Sequence, residues 1–103
     1  MTTRTLVKVV RVVAEVGTDL EFVETLAQAE LIHIEHDRGG EAVISADDAE
    51  RVRLVHLLTN ELDVNLAGVE VILHMREEMV AMQQQLQEIL QAVATELHSR
   101  GRR

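Results

Sequence analysis

Residues 66–98 carry no helix breaker after Gly68, and within them Ile72, Met75, Met79, Met82, Leu86, Ile89 and Val93 recur at alternating spacings of three and four. That is the apolar seam of a heptad repeat. At about 1.5 Å per residue the run makes a helix roughly 50 Å long, whereas a globule of about a hundred residues has a radius of gyration near 13 Å. Such a helix cannot bury its whole seam within its own fold. Its first turns, with Val69, Ile72 and Leu73, are expected to serve a domain core, and its later heptads to meet a second copy as a homodimer. Gln83, Gln84, Gln85, Gln87 and Gln91 flank the seam, and its methionines make it adaptable rather than strongly discriminating.

The remaining residues fill one small domain. The chain has 103 residues, 47% hydrophobic and 27% charged, with a formal net charge of -8. No apolar run approaches the ~18 residues of a membrane span. Lack of cysteine excludes disulfides, cysteine-ligated metals and a thiol nucleophile. Phe22 is the only aromatic residue, so base-stacking platforms are missing. No serine stands in a convincing arrangement with histidine and an acid, and a non-enzyme without cofactor is expected. The N-terminus shows no secretory pattern, which predicts a cytoplasmic protein. The anionic balance opposes attraction to nucleic acid or anionic lipid.

Periodicity predicts a first helix over 6–16, although its valines favour strand and 3–7 can begin extended. Gly17 ends that helix. Thr18 and Glu21 form a capping box for a second helix carrying Leu20, Val23, Leu26 and Ala27. The period then becomes two over 31–35, and with 41–44 this predicts a hairpin turning through His36, Asp37, Arg38, Gly39 and Gly40. The paired glycines lack the lysine and hydroxyl of a phosphate loop and read as a tight turn. Ser45 and Asp48 cap a third helix over 46–61, with Val52, Val55, Leu58 and Leu62 on its apolar side, and Asn65 caps the long helix.

Two short helices, a hairpin, a capped helix and a long terminal helix follow the order of a MerR-type winged helix-turn-helix. The segment Ala29-Glu30-Leu31-Ile32 before the hairpin, the Ser45-Ala46-Asp47-Asp48 start of an arginine-bearing helix, and Leu62-Asp63-Val64-Asn65-Leu66-Ala67-Gly68-Val69 resemble that superfamily. The stretch Glu61 to Leu73 and the start Met75-Arg76-Glu77-Glu78 are most similar to the chaperone modulator CbpM family. The likeness covers about residues 9–90. It implies a mainly α fold: a winged helix-turn-helix over 1–64 with a short β-hairpin wing, a dimerisation helix over 65–98 and a basic tail over 99–103. It also implies a non-catalytic partner of a DnaJ-like co-chaperone, which binds the J-domain and limits its access to a DnaK-type chaperone. The alternative is a DNA-binding MerR-type transcriptional regulator without an effector domain. The chain offers no residues beyond the coiled coil for such a domain, so no small-molecule effector is expected.

Charge separates these two functions. No Lys or Arg occurs between Arg11 and Arg38, whereas Glu15, Asp19, Glu21, Glu24, Glu30, Glu35 and Asp37 are acidic. MerR regulators carry arginines and aromatics at the start of the second helix; this sequence has Asp19, Glu21 and Glu24, which would repel phosphate. Those three residues are the candidate contacts to a basic partner, with a plain solvated face as the competing explanation. For DNA binding the candidates are Arg38, Arg51 and Arg53. Two weaker groupings, His33 and His36 with Asp37, and Glu70, His74, Glu77 and Glu78, read as solvated surface rather than metal sites. Arg100, Arg102 and Arg103 are expected to complement the helix C-terminus.

Overall fold

The computed structural model describes residues 4–101; Thr3, the first residue of the segment read as able to begin extended, and the tail arginines Arg102 and Arg103 lie outside them. The chain is mainly helical, with the order β1 (Leu6–Lys8), α1 (Val9–Val16), α2 (Leu20–Gln28), β2 (Glu35–His36), β3 (Ala42–Ser45), α3 (Ala46–Asn60) and α4 (Leu66–Arg100). It divides into two compact units, 1–69 and 70–103, with the boundary inside α4.

In the first unit, three antiparallel strands take the order β1-β3-β2. Leu6 pairs with Ser45 and Lys8 with Val43 on one side of β3, while Glu35 pairs with Val43 and His36 with Ala42 on the other. The predicted first helix over 6–16 therefore starts late. Its first three residues join the sheet, and Ala46 N–H donates to the Thr5 carbonyl at 3.0 Å, extending the ladder. β-branched residues accept this pairing readily.

The predicted strand over 31–35 is reduced to β2 because its backbone is tied elsewhere. Glu30 takes a left-handed φ of 61°. Leu31 N–H then donates to Leu26 O at 3.0 Å. His33 N–H donates to Asp48 Oδ2 at 2.9 Å, and the Leu31 carbonyl accepts from Arg51 Nη1 at 2.9 Å. Side chains of α3 thus hold this segment where a ladder was expected. The tight turn does form: Asp37 Oδ1 accepts from the N–H groups of Gly39 and Glu41, and Gly40 adopts φ 80°.

Helix ends follow local chemistry. Gly17, at φ 81°, closes α1, and Thr18 N–H reaches back to Val13 O at 3.1 Å. With Thr18 engaged in that closure, the cap of α2 is Asp19, whose Oδ1 accepts from Phe22 N–H at 2.8 Å; this corrects the capping box expected at Thr18. Ser45 caps α3 as expected, its hydroxyl accepting from Asp48 N–H. Asn65 caps α4 by accepting from Gly68 N–H at 2.8 Å. Leu62 is exposed, because α3 stops at Asn60 and Asp63 turns the chain through φ 53°.

The core is aliphatic: Val9 and Val12 of α1, Val23 and Leu26 of α2, Val43 and Ile44 of β3, Val52 and Val55 of α3, and Val69 of α4 are all buried. No polar or charged residue among the described residues is buried. Phe22 meets His56 edge-on across α2 and α3, with ring centroids 5.7 Å apart. At Gly68 an added Cβ would lie 2.8 Å from Val64 Cγ1 and 3.3 Å from Asn65 Oδ1. Gly68→Ala is therefore expected to lower unfolding stability by about 1 kcal/mol, overpacking outweighing the better helix propensity of alanine. Urea denaturation measures this; an unchanged or higher midpoint contradicts it.

In the second unit α4 continues as helix to Arg100, and every described side chain from His74 onward is exposed. None of the helices among the described residues is long and apolar enough to cross a membrane.

Candidate functional site

The three-residue connection Gly17-Thr18-Asp19 between α1 and α2 makes a helix-turn-helix, and the solvent face of α2 is its presenting surface. Val23 and Leu26 are buried, which turns Leu20, Glu21, Glu24, Thr25 and Gln28 outward. Asp19, Glu21 and Glu24 therefore lie together at the N-terminal end of one helix. Their duties differ. Asp19 holds the cap, and the Glu21 carbonyl accepts from Thr25 Oγ1 at 2.9 Å, while the Glu24 side chain is exposed one turn further along. Leu20, an exposed apolar residue between the acids, gave no separate signal in the sequence because its periodicity placed it in the buried stripe. Replacing Asp19 by Ala should cost about 1 kcal/mol through loss of the cap, and Asp19→Asn should restore most of it; thermal unfolding of both variants checks this.

The arginine candidates have different surroundings. Arg53 Nη1 bonds Glu50 Oε1 at 2.8 Å and its Nη2 lies 3.2 Å from Glu15 Oε2. Glu15 also pairs with Arg11 at 3.3 Å, so one carboxylate links α1 to α3. Arg51 serves the Leu31 carbonyl. Arg38 is exposed in the wing turn. These partnerships join residues far apart in sequence, such as 15 and 53, and no local pattern announces them.

Other cations of the sheet are paired with acids. Arg4 reaches Glu35 at 2.8 Å and Lys8 reaches Glu41 at 3.1 Å. The Lys8 ammonium is held above its ordinary pKa of 10.5, first by its hydrogen bond to Glu41, then by the charge of Glu41, with Asp37 adding to it. A raised lysine pKa means that, wherever Glu41 carries its charge, the lysine's contribution to the pair is complete below 10.5 and is lost as pH rises through the raised value.

Along α4, Ile72 is half-buried, whereas Met75, Met79, Met82, Leu86, Ile89 and Val93 are exposed on one stripe. Leu90 and Leu97 are exposed beside it and were not singled out from the heptad pattern, because they occupy a flanking position. His74 Nε2 lies 3.1 Å from Glu78 Oε1, a contact between successive turns. Among the described residues no group of three or more His, Asp or Glu could hold a metal ion.

Comparison with known proteins agrees with this architecture. Among curated proteins none matches the chain. Residues 7–91 match the family described as MerR HTH family regulatory protein, a span that takes in the helix-turn-helix, the wing and most of α4. The chain belongs to the MerR helix-turn-helix regulatory family.

Proposed function

We propose that this chain is a non-catalytic regulator that docks a basic protein surface, the J-domain of a DnaJ-like co-chaperone, on the acidic start of α2, and that it works as a homodimer paired through α4. Binding there would limit access of the J-domain to a DnaK-type chaperone, as the likeness to the CbpM family implies. The observation that carries this reading is the charge of α2. In helix-turn-helix DNA readers the N-terminal residues of the second helix contact base edges. Here that position holds Asp19, Glu21 and Glu24, and α2 has no cation at all. Carboxylates in that place repel phosphate and attract a cationic protein helix.

The second reading, a DNA-binding transcriptional regulator, draws on the family membership and on the exposed Arg38 of the wing turn. It is opposed by the engagement of Arg53 with Glu50 and Glu15 and of Arg51 with the Leu31 carbonyl. Fluorescence anisotropy separates the two. The expected result is no submicromolar affinity for random or promoter-derived duplexes at about 150 mM salt, because few free cations are available to release counterions. Submicromolar, steeply salt-dependent binding that Arg38→Ala weakens would replace the first reading by the second.

A further inference from the structure

We propose that Met75, Met79 and Met82 form a site of reversible oxidation, and that oxygen taken up from a peroxide turns the apolar stripe of α4 into a polar one that no longer pairs. The loss of pairing rests on the homodimer reading above, whereas the site itself rests on composition and exposure. These are three of the four methionines in the chain, the other being Met1. At spacings of four and three they stand on one face of α4, within about 10 Å of its axis. They are exposed by 56%, 60% and 67%. Every described side chain from His74 onward is exposed as well, so within one chain nothing shields the thioethers.

Composition directs an oxidant to the same place. The chain has no cysteine, tryptophan or tyrosine. Where no thiolate is present to take the oxidant, the methionine thioether is the side chain left to react. The step is an oxygen transfer. A lone pair on sulfur attacks one oxygen of hydrogen peroxide, and the S–O bond forms as the O–O bond breaks. The proton on the transferred oxygen passes to the departing hydroxide, which leaves as water. Sulfur is oxidised by two electrons and the peroxide is reduced by two, so the sulfoxide and one water account for every atom.

A thioether is flexible and apolar, whereas its sulfoxide carries an exposed acceptor oxygen. The rest of the stripe is Ile72, Leu86, Ile89 and Val93, which offer that oxygen no side-chain donor. A sulfoxide buried against them would be left without a hydrogen bond, a penalty repeated at three sulfurs in each chain. Pairing covers the sulfurs, so the oxidant acts on the unpaired chain and the sulfoxide then holds it apart. Enzymes that reduce methionine sulfoxide reset the stripe. The first unit is untouched by this chemistry, because residues 2–74 contain no methionine and its aliphatic core has nothing to oxidise.

The test uses the full-length protein and hydrogen peroxide. Peptide mass spectrometry should find one added oxygen on each of Met75, Met79 and Met82, and light scattering should show the dissociation constant of the dimer raised about a hundred-fold or more. Treatment with the two sulfoxide reductases, one for each epimer, should restore pairing. The variant Met75→Leu, Met79→Leu, Met82→Leu keeps an apolar stripe with no sulfur and should stay dimeric in peroxide. The proposal is overturned if the three sulfurs stay unmodified while free methionine in the same solution is oxidised, if the fully oxidised chain still pairs, or if the leucine variant dissociates in peroxide as the unaltered chain does. A chain that is monomeric at tens of micromolar before any oxidant is added overturns the homodimer reading instead, a result distinct from these three.

Discussion

Replacing Met79 and Leu86 together by aspartate is expected to abolish the proposed homodimer, leaving the protein monomeric at concentrations where that reading has the unaltered chain paired. Both residues are exposed on the stripe of α4, and neither contributes to the aliphatic core. The substitution would place four carboxylates in the paired seam, each uncompensated and partly desolvated. A penalty of at least about 4 kcal/mol follows, close to a thousand-fold in dissociation constant at roughly 1.4 kcal/mol per decade. Sedimentation velocity or light scattering reads the change. Gln87→Asp, on the flank, should leave the dimer intact, which separates the seam from a general effect of charge. A double variant that stays dimeric would move the interface off α4.

The second large effect concerns Glu24. It is exposed on α2 beyond the capping turn, so Glu24→Lys should alter stability by no more than about 0.5 kcal/mol. At a docked basic surface the same change sets like charges together and should weaken binding to the J-domain ten-fold or more. Calorimetric titration at two ionic strengths measures it. The loss should shrink at high salt, because exposed charges are screened within about 10 Å at 0.1 M. An unchanged affinity would return Glu24 to the role of solvated surface and direct attention to α3 and the start of α4. If the unaltered chain itself fails to bind, the co-chaperone reading falls as a whole.

Much of this architecture was legible because its determinants are local. Ser45, Asn65, Gly17 and the turn through Asp37 and Gly40 act on backbone groups within five residues, and sequence spacing reveals them. The seam of α4 was legible for a similar reason, since one helix fixes its own periodicity. What escaped depends on distant partners. Leu6 to Lys8 read as helix until β3 supplied a ladder nearly forty residues away. The segment after Glu30 read as strand until Asp48 and Arg51 took its hydrogen bonds. Thr18 and Asp19 are both competent caps, and the choice fell to Asp19 once Thr18 was drawn into the closure of α1. The acidic face was visible as composition, yet only the burial of Val23 and Leu26 shows which of its residues face outward together.

The bareness of α4 beyond Leu73 bears on how the protein acquires its shape. Every described side chain from His74 to Gly101 is solvent-exposed, so within one chain nothing but local propensity and contacts between successive turns holds these residues helical. Helices in proteins draw most of their stability from a packed apolar face, and one without that support frays. In the proposed homodimer, coiling of this segment and encounter with a second chain would become a single equilibrium governed by abundance. Amide hydrogens of residues 80–95 should exchange slowly in concentrated solution and quickly on dilution, while those of Val52 and Val55 in α3 hold their protection throughout. A cell could thus set how much assembled regulator it holds simply by how much chain it makes, with proteases removing whatever has not found a mate.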